Sequence, residues 1–310
     1  MGNRGEFPGR WRCHGGVIGT VPGPHPNPDA PRLMRMPPNA CDSHCHVFGP
    51  HDRFPLSPDR TYDPAEAALA DYRRLQGRLG MSRAVFVQPA AYGRDHACLL
   101  EAIASGPDRF RGAGLVDSQT SDAELALLVR GGVLGARFNF MGHLGGASAE
   151  EVRATAERVA GLGWHIMLHV DGAALVRLAP LVAELKCPVV IDHMARLAAN
   201  DGVEQPAFRV LLDLLALPHV WAKISAADRM VANAQVLDDA APFMAAIAAA
   251  APERTLWGTD WPHPNSRFMP NDGHLVDLLA RAIPDPDLRE AILVRNPARL
   301  FSFADKEDTQ

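Results

Sequence analysis

Several histidines and carboxylates fall where short apolar runs of this sequence stop. In CDSHCHVFGP, residues 41–50, His44 and His46 flank Cys45. Side chains two apart on a strand share a face, so both imidazoles point one way, with Asp42 expected beside them. Further on, HIMLHV reaches His169 with Asp171 beyond, PVVID leads to Asp192 and His193, and TLWGTD ends at Asp260 before WPHPN. VLGARF brings Arg137 and then Asn139; VWAKIS carries Lys223, with Arg229 in the loop after it, and Asn265 follows the last run. Imidazoles beside a carboxylate can hold a divalent metal. They can also activate water, the carboxylate taking its proton while the rings polarise a carbonyl oxygen. Singly, each residue has a plainer reading, a structural hydrogen bond for a histidine or a cap for an aspartate. Convergence on one mouth is what points to a site.

The elements that would bring them together are eight apolar or β-branched runs: 40–48, 83–88, 112–116, 133–138, 165–170, 188–192, 220–225 and 255–260. Between them lie helical patterns. In SDAELALLVRGG (121–132), Ser121 caps the start, Glu124 completes a capping box and the glycines end the helix. SAEEVRATAERVAGLG (148–163) repeats the scheme with Ser148 and Glu151. Near-continuous apolar strands alternating with helices imply a parallel sheet covered on its outside. Eight such units over about 250 residues predict a (β/α)8 TIM barrel, whose chemistry sits at the C-terminal strand ends. An open doubly wound sheet fits less well, because no GxGxxG follows the first strand. His165, four residues before His169, falls at the opposite end of the barrel and reads as structural.

The predicted organisation is a Gly/Pro-rich flexible arm over 1–38, a single barrel over 39–303 and a tail over 304–310. The arm has no apolar core of the kind a secretory signal needs, and His14 and His25 within it are incidental. With 310 residues, 47% hydrophobic, 22% charged and a net charge of −5, the composition is that of a globular chain. No basic stripe supports nucleic-acid binding. The Ala-rich run at 241–251 is too short to span a bilayer and reads as a buried helix. Five scattered cysteines without a CxxC pair fit reduced thiols in a cytoplasmic setting, and Cys45, facing away from its histidine neighbours, reads as packing. Tyr92, Arg94 and His96 in the loop PAAYGRDH (89–96) are equally open to a functional and a solvent role. Nothing in the sequence sets an oligomeric state.

DSHCH, the HV ending strand five, the IDH ending strand six and WGTDWPHPN together resemble the amidohydrolase superfamily. CDSHCHVFGP, GARFNF, LGWH, DHMAR and LWGTDWPHPN are similar to the 2-pyrone-4,6-dicarboxylate lactonase group of its amidohydrolase-2 branch. The likeness runs from about residue 40 to VRNPARLF at 294–301. It implies a hydrolase opening a small anionic lactone, with Asp260 as the base and His193 beside it. Those lactonases work without a metal and carry an aromatic residue where this chain has His169, whereas metal-dependent amidohydrolases carry a histidine there. The resemblance therefore implies a mononuclear set of His44, His46, His169 and Asp260. Such donors suit Zn²⁺, with Mn²⁺ as the alternative, and a metal-free route is the other expectation. Arg137 and Arg229 present planar forks suited to a carboxylate, and Asn139 and Asn265 can read substrate oxygens. Where the group has a further arginine this chain has His143, which weakens the case for the pyrone dicarboxylate itself and leaves a sugar-acid, muconolactone or pyrone-carboxylate type of lactone as the expected substrate. Loss of CO₂ from an aromatic or unsaturated acid by a metal-dependent decarboxylase, isomerisation of a lactone, and a non-catalytic barrel are the alternatives.

Overall fold

The computed structural model describes residues 20–142 and 146–304, so His143, Cys13 and His14 lie outside the described residues. Eight parallel strands form one sheet: β1 (Cys41–Cys45), β2 (Arg83–Val87), β3 (Phe110–Gly114), β4 (Val133–Asn139), β5 (His165–His169), β6 (Val189–Ile191), β7 (Val220–Lys223) and β8 (Thr255–Leu256). Each pairs with its sequence neighbour. The ring closes between first and last through Ser43 N–H to Trp257 O (3.0 Å), Asp260 N–H to His44 O (2.8 Å) and His46 N–H to Trp261 O (2.7 Å). The fold is the (β/α)8 barrel expected, and the strands fall where the apolar runs do. β8 is shorter than its run, because beyond Leu256 the chain leaves the ladder to reach β1.

The outer helices take the serine caps their sequences predict, but the reciprocal glutamate bond of the capping box does not form at Ser148, where the Glu151 carboxylate accepts from Ser118 instead. Ser121 accepts from Glu124 N–H at the start of α1 (Asp122–Arg130), and Ser148 accepts from Glu151 N–H at the start of α2 (Ala149–Ala160). The Ala-rich run forms a helix over Ala241–Ala250 and buries Phe243, Met244 and Ile247. The floor of the barrel is filled by Cys41, Val85, Val190, Trp221 and Leu256, with Phe301 and Phe303 packed beneath them. His165 lies at this end, its ring 5.4 Å from that of Phe301. Gly135 makes room for it, since a Cβ there would stand 2.3 Å from the imidazole.

One expectation fails on the first strand. Asp42 does not share the face of His44 and His46. Cys41 and Asp42 pair with Arg83 and Ala84, but Cys45 pairs with Phe86, so three steps of β1 oppose two of β2. This bulge resets the side-chain alternation. Asp42 turns outward, accepting from Thr259 N–H (2.9 Å), Thr259 Oγ1 (2.7 Å) and Tyr72 Oη (3.1 Å). Cys45 also faces outward, its thiol 3.6 Å from Val85 O, and Cys41, Cys45, Cys98 and Cys187 are all buried and unpaired.

Residues 20–38 run against the barrel. Arg32 and Leu33 N–H both donate to Asp277 Oδ1 at 2.8 Å, and Asp29 N–H donates to Asn271 Oδ1 at 3.0 Å. Among the described residues no helix is long and apolar enough to cross a membrane.

Candidate active site

The C-terminal ends of β1 and β6 deliver three imidazoles to one carboxylate oxygen, which the chain following β8 supplies. Asp260 Oδ1 stands 3.4 Å from His46 Nε2, 3.7 Å from His193 Nε2 and 3.8 Å from His44 Nε2. Asp260 reaches this position with φ 64°, a left-handed geometry that is uncommon for residues other than glycine. Its Oδ2 accepts from Arg229 Nη2 at 2.9 Å and Nε at 3.3 Å. Burial works against ionising Asp260, but His193, Arg229, His46 and His44 hold its carboxyl well below the usual range. The imidazoles go the other way. Burial, reinforced by nearby cations and by one another, pushes His44, His169 and His193 well down, and burial lowers His46 against the pull of Asp260. At neutral pH the cluster is therefore one carboxylate among neutral rings.

The ring protons follow from the partners. Val87 O lies 2.7 Å from His46 Nδ1 and can only accept, so this nitrogen carries the proton and Nε2 presents a lone pair. His44 is the reverse. Lys223 Nζ lies 2.9 Å from His44 Nδ1 and Asp192 Oδ1 lies 3.4 Å from it; the nearer ammonium can only donate, which places the neutral ring's proton on Nε2. That Nε2 is buried without a hydrogen-bond partner among the described residues, an orphan donor 3.8 Å from Asp260 Oδ1. His193 Nδ1 rests 2.9 Å from Ser225 Oγ, whose hydroxyl can serve either tautomer.

Lys223 and Asp192 were visible in the sequence as strand-end residues without a role. Both are fully buried, 3.1 Å apart, and Arg137 Nε approaches the same carboxylate at 3.9 Å. Burial lowers the Lys223 pKa and Asp192 opposes it, while Lys223 and its neighbours hold Asp192 below its ordinary value against burial. The pair sits behind His44, where it sets the tautomer.

The cleft above this cluster has about 440 Å³ of free space, counted out into its open mouth, and is lined by His46, Tyr62, Arg137, His169, His193, Arg196, Arg229, Asp260 and Asn265. Arg137 donates to Gln88 O at 3.1 Å. Asn139 stands behind His169, its Oδ1 3.0 Å from Nδ1, and does not line the cleft. Asp171 caps the following helix by accepting from Ala174 N–H at 2.8 Å. Arg94 pairs with Asp117 on the surface at 2.7 Å. Tyr62 and Arg196 escaped the sequence reading: neither ends a strand, and only the folded loops bring them to the mouth.

His44, His46 and Asp260 hold donor atoms within 4.8 Å of one another, as do His44, Asp192 and His193. His169 belongs to neither group. The charge and proton pattern does not fit a divalent ion. Four cations (Arg137, Arg196, Lys223 and Arg229) already surround three carboxylates (Asp192, Asp228 and Asp260). His44 also offers a proton where a ligand needs a lone pair.

Comparison with known proteins agrees with this architecture. The amidohydrolase family model matches residues 41–303. A 4-sulfomuconolactone hydrolase of Rhizobium radiobacter is 40% identical over 280 residues, 88% of this chain and 93% of its own length. A 2-pyrone-4,6-dicarboxylate hydrolase of Comamonas testosteroni is 37% identical over 286 residues, 89% of this chain and 93% of its own. A solved Agrobacterium tumefaciens structure in its apo form superposes with a TM-score of 0.80 at 29% identity, covering 89% of this chain and 99% of that one.

Proposed function

The chain belongs to the amidohydrolase family, and from that premise we propose that it hydrolyses a small anionic lactone at the mouth of its barrel. The observation that carries this reading is the meeting of His44, His46 and His193 Nε2 at Asp260 Oδ1, in a cleft whose fixed charges leave it positive. Its relatives, hydrolases of a muconolactone and of a pyrone dicarboxylate by name, support the substrate class.

Each group has a distinct part. A water between His46 Nε2 and Asp260 Oδ1 meets two acceptors, so both its hydrogens are held and an oxygen lone pair is left for the carbonyl carbon. Asp260 takes one proton as the carbon–oxygen bond forms. The Nε2–H of His44, and that of His193 in the tautomer whose Nδ1 accepts from Ser225, donate to the carbonyl oxygen as negative charge gathers there. When the ring carbon–oxygen bond breaks, the proton on Asp260 passes to the departing oxygen and restores the carboxylate. Arg229, bonded to Oδ2, keeps Asp260 oriented throughout. A carboxylate held this acidic is a weak base at rest. It gains strength when the Nε2–H groups of His44 and His193, 3.8 and 3.7 Å from Oδ1 at rest, turn their partial positive charge to the carbonyl oxygen.

The reading is tested with a panel of anionic lactones in ¹⁸O-water. One solvent oxygen should enter the new carboxylate, and Asp260→Asn should lower kcat at least a hundredfold without changing the melting temperature by more than a few degrees. Release of CO₂ would establish a decarboxylase instead, and a rearranged lactone without label an isomerase. An Asp260→Asn variant retaining most activity would remove the base from this mechanism.

A further inference from the structure

The loop that carries Asp260 holds an uncommon backbone conformation. Asp260, His263 and Asn265 have φ values of 64°, 62° and 62°, three left-handed residues within six positions and none of them glycine. The left-handed region costs L-residues about 1–2 kcal/mol each, so the loop keeps this shape only where its surroundings over-determine it. Two ties come from the mouth: Arg229 Nη2 donates to Asp260 Oδ2 at 2.9 Å and to Pro264 O at 2.7 Å. A third lies behind the loop. His263 Nε2 stands 3.0 Å from Asp272 Oδ1, both side chains are fully buried, and neither lines the cleft.

His263 and Asp272 serve each other alone. Among the described residues, His263 Nδ1 and Asp272 Oδ2 are buried without partners. Such a buried polar pair is weak evidence for stability, because an apolar pair of similar volume often does as well. What this pair fixes is geometry. His263 N–H donates to Asp260 O at 2.8 Å, so the residue clamped by Asp272 is bonded to the backbone of the base itself. Asp272 is anchored in turn. It opens the helix Asp272–Ala282, whose cap Asn271 accepts from Gly273 N–H at 3.1 Å and from Asp29 N–H at 3.0 Å. A Cβ on Gly273 would stand 2.3 Å from Asp29 O, so the segment over residues 20–38 meets the start of this helix backbone to backbone.

We propose that His263, held by Asp272, is the positioning residue that sets Asp260 against the three imidazoles. The inference rests on the reading of Asp260 as the base of a lactone hydrolase. His263 touches neither water nor substrate in this scheme and takes no part in proton transfer. Its action is geometric. With its bond to Asp272 in place, the backbone of Asp260 keeps its left-handed turn, and Oδ1 stays 3.4 to 3.8 Å from the Nε2 atoms of His46, His193 and His44. Misplacing a reacting group by about 1 Å can cost about a hundredfold in rate.

The test joins a double-mutant cycle to crystallography of the full-length protein. His263→Leu and Asp272→Leu should each lower kcat for an anionic lactone by about a hundredfold, with KM within about threefold. The double variant should fall no further than either single, because both changes break the same bond. It should also melt within a few degrees of the wild type, since it leaves no polar group of the pair unpartnered. His263→Gln, whose amide can reach Asp272, should keep kcat within about tenfold of the wild type, and the shorter His263→Asn should lose it as the leucine variant does. This polar pair of variants serves if the leucine variants do not fold. In the crystal, Asp260 Oδ1 of the double variant should move by about 1 Å or more relative to His46 Nε2, a readout that needs no substrate. Full kcat in the double variant, losses in the two singles that multiply, or an unmoved Asp260 would overturn the inference. A wild type that opens no lactone, with Asp260 displaced as expected in the double variant, would sink the hydrolase reading and leave the positioning role standing.

Discussion

Replacing Lys223 by methionine removes the positive member of a fully buried pair and keeps a side chain of similar length. At the 3.1 Å separation of Nζ and Asp192 Oδ1, Coulomb attraction at an effective dielectric constant of 20 is about 5 kcal/mol. Both groups lost their hydration on burial, so the whole of that attraction is not net stability. Breaking such a pair typically costs about 3–5 kcal/mol, because the remaining charge is left uncompensated. Asp192 is not abandoned entirely, since Arg137 Nε lies 3.9 Å from its other oxygen. The expected loss for Lys223→Met is therefore about 3 kcal/mol, the low end of that range. Asp192→Asn should cost a similar amount, about 3 kcal/mol, because it leaves Lys223 buried without its counter-charge. Urea unfolding at pH 7 of the wild type, both single variants and the double variant completes the cycle. The double variant should be more stable than the sum of the singles predicts by about 2 kcal/mol, a coupling expected of groups in contact. A Lys223→Met loss below about 1 kcal/mol, or a coupling near zero, would refute the view that this pair is a closed ionic unit behind His44.

His165, buried at the floor with its pKa pushed down to about 3 by burial and by Lys223, makes stability depend on acid. The folded ring stays neutral while the unfolded chain takes up a proton below about pH 6.5, so stability is lost as pH falls from there toward 3, by about 4–5 kcal/mol in all. His165→Leu should flatten the fall of the urea midpoint between pH 7 and 4; an unchanged slope would mean that this ring does not carry the effect. For the metal, protein purified without chelator should contain less than about a tenth of an equivalent of zinc or manganese, and its lactonase activity should survive chelator dialysis, as expected where a ligand nitrogen is protonated. One equivalent of metal, lost together with activity in His46→Asn, would show that His44 adopts the other tautomer and that the ion belongs to the site.

Local patterning foretold the barrel because its causes are local. Strand and helix periods, the serine caps at Ser121 and Ser148, and the strand-end positions of His44, His46, His193 and Asp260 all depend on neighbours a few residues away. Given eight alternating units, the rule that barrel chemistry gathers at the C-terminal ends made the convergence of those four residues legible from their places alone. The outward turn of Asp42 was not legible, because a bulge depends on the register against β2 rather than on the residues of β1.

The order of elements, the mouth of the barrel and the reactive residue types were thus determined by the sequence alone. Only the tertiary structure decided the proton on each ring, the commitment of Arg229 to Asp260, and the pairing of His263 with Asp272. Lys223 and His44 are 179 positions apart, and no pattern along a chain specifies which nitrogen a distant ammonium will meet. Charge pairing in a buried site is settled by separations of a few ångströms, which exist only once the barrel has closed.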